Sequence, residues 1–390
     1  MRFGRTALLV LVAVFACVPP AVPYPDSEGL LVIGHRGVPG YLPDHTLEGY
    51  ALAIRLGADY VEPDLVSTKD DKLIVRHEPN ISATTDVSRH AEFASRMRTA
   101  IVDGVAETGW FASDFTLREI KTLCAVQPLG ERPQHVDGRF EIPTFQEVIE
   151  LVQRESKRRH RIVGVYPEIK HPTYHRRLGL PLEAKLVAAL VRAGLDGRRS
   201  PVFIQSFEPS SLKRLNQLTD VRLMQLVDAN DVNPDGSLDY SPPFDRPYDW
   251  TASGDPRLTS RTFGYFATSA GLDEIASYAD GISAWKRYIL TSAAVDSNHD
   301  GTVGDENGDG LIDEADRRLL PPTSLIRRAH RRDLLVHTWT FRNEPRHLAA
   351  DYRADPLREY LRFFRLGVDG VFSDFTDTAV KARRRFAHDG

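Results

Sequence analysis

The sequence predicts an α/β chain, a TIM-type (β/α)8 barrel with a small insertion subdomain after the early strands. Three observations predict it. Short apolar runs alternate with helical patterns along most of the chain. Ionisable residues gather where apolar runs end, as at Gly34-His35-Arg36-Gly37, and active residues of a barrel sit at strand C-termini. The 390 residues, 42% hydrophobic, can bury a large core; that is long for one ordinary domain but suits a barrel.

Residues 1–26 read as an export signal. Arg2 and Arg5 form its charged region, the apolar stretch 7–18 is too short to span a bilayer, and Pro19, Pro20 and Pro23 end any helix. The chain is therefore expected outside the cytoplasm, periplasmic or secreted. Val14-Phe15-Ala16-Cys17 resembles a lipoprotein processing box, with Phe15 unusual there. A cell-surface lipoprotein anchored by lipid at Cys17 stays open as an alternative. Cys124 then has no partner, so no intramolecular disulfide is expected. No transmembrane span follows the signal. A net charge of -4 argues neither for nucleic acid nor for an anionic membrane surface.

The barrel, 27–390, opens with an apolar run at 31–33 that stops at Gly34-His35-Arg36-Gly37. Arg36 offers a planar fork suited to phosphate. Pro43-Asp44-His45-Thr46 leads into a helical pattern in which Leu47, Ala51, Ile54 and Leu56 share a face. The strand at 60–65 carries Glu62 and Asp64, and alternation points both to one side. Two carboxylates aimed at one point repel unless a cation lies between them. Only Lys69-Asp70-Asp71-Lys72 separates this strand from the next run, 73–77, so the chain must return antiparallel. Pairing Thr68 with Leu73 would set His77 opposite Asp64. His35 can approach from the neighbouring strand.

Residues 78–141 lose periodicity and carry Pro79, Pro128 and Pro133, so they read as an insertion with its own packing around Trp110, Phe111 and Phe115. Thr144 and Glu147 form a capping box at the start of a helix. The strand at 163–169 ends with Glu168 and Lys170 on one side. Further elements are a helix over 182–193, strands at 202–207 and 223–227, and a long loop at 231–262. A helix over 272–279 follows, then strands at 281–285, 334–340 and 369–374. Nine strand candidates result where a barrel needs eight, and the hairpin at 60–77 makes one of them exceptional. Phe207 and Trp339, near strand ends, can wall an apolar group or simply pack.

From Asp305 an acidic run follows calcium-loop spacing: Asp305, Asn307, Asp309, Leu311 through its carbonyl, Asp313 and Asp316 at positions 1, 3, 5, 7, 9 and 12, with Gly310 at the turn. A second structural Ca2+ is expected there. An overlapping frame at Asp296, Asn298 and Asp300 lacks its final acid. The insert spans 296–316 and is expected at the rim of the catalytic face.

These motifs resemble the glycerophosphodiester phosphodiesterases, most closely the bacterial periplasmic type. The matching residues are Gly34-His35-Arg36-Gly37, Gly40-Tyr41-Leu42-Pro43-Asp44-His45-Thr46, Glu62-x-Asp64, His77, Glu168-Ile169-Lys170, Gln205-x-Phe207 and Asp369-Gly370-Val371-Phe372-x-Asp374. The resemblance implies a substrate-covering insertion. It implies a metal site of Glu62, Asp64 and Glu168, with Lys170 facing phosphate. It also implies hydrolysis of a small-molecule glycerophosphodiester to glycerol 3-phosphate and an alcohol. His35 and His77 would share acid and base roles. The glycerol hydroxyl beside the phosphate would attack, giving a cyclic intermediate that water opens. Carboxylate ligands without cysteine favour Ca2+ or Mg2+, and export favours Ca2+. Glu78 stands where the family often has Asp. Two other readings stay open: a phospholipase D-like barrel acting on sphingolipid or lysolipid head groups, and a non-catalytic calcium-dependent surface-binding protein.

Overall fold

The computed structural model describes residues 29–389 apart from 297, 298 and 300. The export signal with Cys17, and Asn298 and Asp300 of the overlapping calcium frame, lie outside them. In chain order, strand β1 is Leu31–His35. β2, Tyr60–Glu62, runs on past Pro63 as β3, Asp64–Ser67. β4, Leu73–Val75, turns back, and β5, Arg98–Val102, pairs with β6, Val105–Gly109, in a hairpin of the insertion. β7, Gly164–Val165, runs on past Tyr166-Pro167 as β8, Glu168–Ile169. Then come β9, Phe203–Ser206; β10, Arg222–Val227; β11, Gly281–Trp285; β12, Leu335–Phe341; and β13, Gly370–Ser373.

The two broken strands explain the count. β2 pairs with β7, and β3 pairs with β8, all parallel. Proline has no N–H for the ladder, so each strand breaks at Pro63 or Pro167 and resumes beyond it. Counting each broken pair as one strand gives eight. Parallel pairing then runs from β8 through β9, β10, β11, β12 and β13 to β1 and back to β2. The ninth candidate, β4, lies antiparallel against β3 as a hairpin partner.

The hairpin register differs by one residue from the expected one. Ser67, not Thr68, pairs with Leu73. Thr68 instead donates its N–H to Lys72 O at 2.9 Å, closing a tighter turn. The loop is three residues with Asp71 left-handed at φ 64, a standard three-residue hairpin. Arg76, not His77, then bonds opposite Asp64. His77 sits one residue further along.

Helix α1, Leu47–Leu56, starts at Thr46, whose hydroxyl accepts from Gly49 N, and stops at Gly57 with φ 108. α2, Phe145–Arg159, carries the full capping box of Thr144 and Glu147. α3 is Glu183–Ala193. The helix expected over 272–279 is Ser269–Ala276, three residues earlier, because Thr268 caps Gly271 N. The loop at 231–262 contains a short pairing of Asp231–Val232 with Leu238–Asp239 and helices Tyr248–Ser253 and Pro256–Thr259. Ile33, Tyr60, Tyr166, Phe203, Met224 and Phe372 fill the barrel, and a larger apolar layer lies between strands and helices. The insertion has its own cluster, including Ile81, Phe93, Phe115 and Ile120, seated on Val66 and Ile74 of the hairpin. No helix among the described residues is long and apolar enough to cross a membrane.

Candidate active site

The charged strand ends converge on one end of the barrel. Glu62, Asp64 and Glu168 offer carboxylate oxygens within 4.8 Å of one another, and all three are buried. Each is positioned by neighbours of a different origin. Glu62 accepts from Arg36 N at 2.7 Å and Gln205 Nε2 at 3.0 Å. Asp64 Oδ2 accepts from His45 Nε2 at 3.0 Å, and the Tyr50 hydroxyl donates to the other ring nitrogen at 2.7 Å. Glu168 lies 3.0 Å from Lys170 Nζ. Arg36 and His45 both take positive φ, 51 and 55, which turns the chain sharply around the carboxylates.

The electrostatics suit a cation. Burial, then repulsion from Asp64 and Glu168, pushes the Glu62 carboxyl well up. Burial pushes Glu168 up to about 8, against Lys170. Burial opposes ionisation of Asp64 too, but His45 holds it well down. Asp64 Oδ1 is buried with no hydrogen-bond partner. An orphaned carboxylate oxygen beside two reluctant carboxylates is a fitting donor set for a hard divalent ion. These are the only described residues whose His, Cys, Asp or Glu side chains cluster in this way.

Two histidines flank the cluster, each backed by a carboxylate. His35 Nδ1 donates to Asp374 Oδ1 at 2.5 Å. Asp374 Oδ2 accepts from Arg132 Nη2 at 2.6 Å and Arg342 Nε at 3.3 Å. Despite burial, His35 and the two guanidinium groups hold Asp374 ionised, far below the usual range. Burial pulls His35 down to about 4, with Asp374 opposing. On the other side His77 Nδ1 faces Glu78 Oε1 at 2.6 Å, and Lys170 Nζ donates to His77 Nε2 at 3.2 Å. Burial, Arg36 and Lys170 draw His77 down to about 3. Glu78 reaches on to His171 Nε2 at 3.0 Å, and His171 Nδ1 donates to Asp103 Oδ2 at 2.7 Å. Against its burial, these two carboxylates push His171 up to about 10.

Of the predicted site residues, the structure brings together His35, His77, Arg36, Glu62, Asp64, Glu168 and Lys170. Phe207 borders them, its ring 5.7 Å from Lys170 Nζ. Trp339 stands beside Phe207, ring centroids 5.9 Å apart and nearly perpendicular, with Nε1 donating to Ser283 O at 3.0 Å. The acidic run lies apart. Asp305 Oδ1 and Oδ2 accept from the backbone of Gly308, Asp309 and Gly310, and Asp316 accepts from Glu306, Asn307 and Asp313 N. Asn307 accepts from Asp309 N, Asp309 from Leu311 N and Asp313 from Ala315 N. Asp313 and Asp316 border a cavity that Trp339 also lines.

The sequence reading quoted His45, Glu78, Gln205 and Asp374 within motifs without giving them these contacts, and it missed Arg132, His171 and Asp103. His45 lay inside a motif already singled out, hidden by the helix start beside it. Asp374 ends a barrel strand, so the strand-end rule could have found it. Asp103 and Arg132 reach in from the insertion, and no local pattern marks them.

The model of the glycerophosphoryl diester phosphodiesterase family matches residues 35–378. A glycerophosphodiester phosphodiesterase of Arabidopsis thaliana is 35% identical over 357 residues, covering 88% of this chain and 83% of its own. Among solved structures, a putative glycerophosphoryl diester phosphodiesterase from Silicibacter pomeroyi shares the fold with a TM-score of 0.56 at 18% identity, covering 92% of this chain and 94% of its own. A phosphodiesterase of Oleispira antarctica, solved in complex with the product sn-glycerol-3-phosphate, superposes with a TM-score of 0.51 at 18% identity, covering 90% and 96%.

Proposed function

The chain belongs to the glycerophosphoryl diester phosphodiesterase family, and on that premise we propose that it hydrolyses glycerophosphodiesters to glycerol 3-phosphate and an alcohol with two histidines and a divalent cation. The observation that carries this reading is the buried triad Glu62, Asp64 and Glu168 flanked by two carboxylate-backed histidines. Glu62, Asp64 and Glu168 would hold the ion, which supplies charge neutralisation at a non-bridging phosphate oxygen. Calcium is preferred and magnesium second. Arg36 and Lys170 add positive charge for the phosphate. Phe207 and Trp339 present rings to the organic part of the substrate.

Asp374 and Glu78 each occupy Nδ1 of their histidine, which leaves Nε2 of His35 open for proton transfer, while Nε2 of His77 faces the site beside Lys170 Nζ. One histidine takes the proton of the attacking glycerol hydroxyl; the other returns a proton to the leaving oxygen. Glu78 reaches further than the Asp common in the family, and here that length lets it span His77 and His171. Export from the cytoplasm and a second calcium ion in the loop at 305–316 complete the proposal. They rest on the signal-like segment and on the ligand spacing.

A product assay tests the reading. Purified protein is incubated with glycerophosphodiesters, a lysolipid and a sphingolipid, and the products are identified. Glycerol 3-phosphate plus free alcohol is the expected outcome. Head-group release from the lipids alone would point to phospholipase D-like chemistry, and no turnover on any of them to a binding protein.

A further inference from the structure

Val102-Asp103-Gly104-Val105 joins β5 to β6 through two turn residues. Val102 pairs with Val105, and Asp103 and Gly104 take positive φ, 45 and 87. Asp-Gly is a preferred pair for this tight hairpin turn, because both residues tolerate the left-handed region. The turn therefore holds Asp103 at the tip of the insertion's hairpin. Parts of that hairpin touch little: Ile101 is 57% exposed and Val105 40%. Val102 is buried, packing with Phe111 and Tyr174.

The polar contact at the tip is directional. Asp103 Oδ2 accepts from His171 Nδ1 at 2.7 Å. His171 directly precedes the helix Pro172–Arg177, which carries Tyr174. It too has a left-handed backbone, φ 46. Residues other than glycine keep that conformation only where their surroundings hold them in it. The preceding residue, Lys170, stands against both Glu168 and His77. The hairpin tip is thus anchored one residue from the active site.

The bond continues into that site. His171 Nε2 donates to Glu78 Oε2 at 3.0 Å, and Glu78 Oε1 accepts from His77 Nδ1 at 2.6 Å. Against its burial, His77 and His171 hold Glu78 well below the usual carboxylate range. A carboxylate only accepts, so a histidine between two of them donates from both ring nitrogens. His171 in that form satisfies Oε2 of Glu78 and leaves Oε1 to His77. His77 then keeps its proton on Nδ1 and presents the lone pair of Nε2 to the site, where Lys170 Nζ lies at 3.2 Å.

We propose that Asp103 and His171 are positioning residues for His77: the tip of the insertion's hairpin, acting through His171 and Glu78, fixes the ring and the tautomer with which His77 transfers protons. The inference rests on the hydrolase reading above. It goes beyond that reading by making the docked hairpin a condition of full turnover.

Two measurements on the purified full chain decide it. The first is kinetic. Asp103→Asn keeps the hairpin, because Asn-Gly forms the same turn, and removes the charge facing His171. His171→Asn likewise tolerates a left-handed backbone. In each, kcat on a glycerophosphodiester should fall about tenfold with KM little changed, the scale on which groups behind an active-site histidine act. Ile101→Thr, on the exposed part of the hairpin, should leave both constants unchanged. Adding Asp103→Asn to Glu78→Gln should lower kcat no further, because residues acting in series are not additive. An unchanged kcat, a change in KM alone, a multiplied loss in the double variant or an equal loss in Ile101→Thr overturns the proposal.

The second is the ring nitrogen magnetic resonance spectrum, which general loosening of the hairpin would not shift in this way. With signals assigned by His77→Ala and His171→Asn, His171 should show two protonated nitrogens and His77 the tautomer protonated on Nδ1. In Asp103→Asn the His77 signals should move to a mixture of tautomers. Unchanged His77 signals in both Asp103→Asn and His171→Asn overturn the proposal. If the wild-type chain turns over no glycerophosphodiester, the hydrolase reading falls instead, and the ring spectra decide the positioning by themselves.

Discussion

At the scale of single residues, the account turns on His35 and His77 and on what stands behind each. His35→Ala and His77→Ala should each reduce kcat by on the order of 10²- to 10⁴-fold while far-ultraviolet circular dichroism stays unchanged. Near-normal turnover in either would remove that histidine from the chemistry. Glu78→Gln keeps the shape of the side chain but removes the charge that faces both His77 and His171. It should lower kcat by more than it alters KM, because Glu78 bonds the proton-transfer ring of His77. A pure KM effect would mean that Glu78 serves binding. Much of this site could be read in the chain. Glu62 and Asp64 shared a side by simple alternation, and Glu168 and Lys170 did likewise. Their partners could not be read. Asp374 lies 339 residues from the histidine it holds, and only the closing of the barrel brings them together.

At the scale of elements, short segments fix where those residues stand. The three-residue turn at Lys69-Asp70-Asp71 sets the register of β3 and β4, and the left-handed Asp71 makes that turn. The sequence showed that a hairpin must form but not whether its loop held three residues or four, and one residue decided which side chain met Asp64. Pro63 and Pro167 were visible, yet their effect on strand counting needed the pairing pattern. The capping box of α2 was fully legible, because Thr144 and Glu147 meet through local geometry alone. Thr144→Ala should lower stability by about 1 kcal/mol in denaturant titration without altering the midpoint's steepness. The acidic loop is a further local case. Asp305→Ala combined with Asp309→Ala should remove one class of calcium site in calorimetric titration and lower the melting temperature in calcium; an unchanged stoichiometry would make the loop a plain acidic linker.

At the scale of the whole molecule, the insertion and the barrel are joined through the two histidine supports. Arg132 reaches Asp374, which holds His35, and Asp103 reaches His171, which holds Glu78 behind His77, so the insertion touches the support of both proton-transfer rings. This coupling has a pH signature. His171 is raised to about 10 in the folded chain from an unfolded value near 6.5. The folded state therefore binds more protons between those values, and its stability falls as pH rises through that window. The stabilisation is complete below the unfolded value. The melting temperature should decline from neutral pH toward about pH 10, and His171→Gln should flatten that decline. A slope identical in variant and wild type would place the alkaline sensitivity elsewhere.

The central claim is that the three buried carboxylates hold the ion on which hydrolysis depends. The most direct measurement is the rate of glycerol 3-phosphate release from a glycerophosphodiester by metal-stripped protein as calcium is added back. The account predicts negligible turnover in the stripped protein, restored by calcium in the wild type, with Glu62→Gln, Asp64→Asn and Glu168→Gln each needing more calcium or failing to recover. Full turnover by the stripped wild-type protein would contradict it.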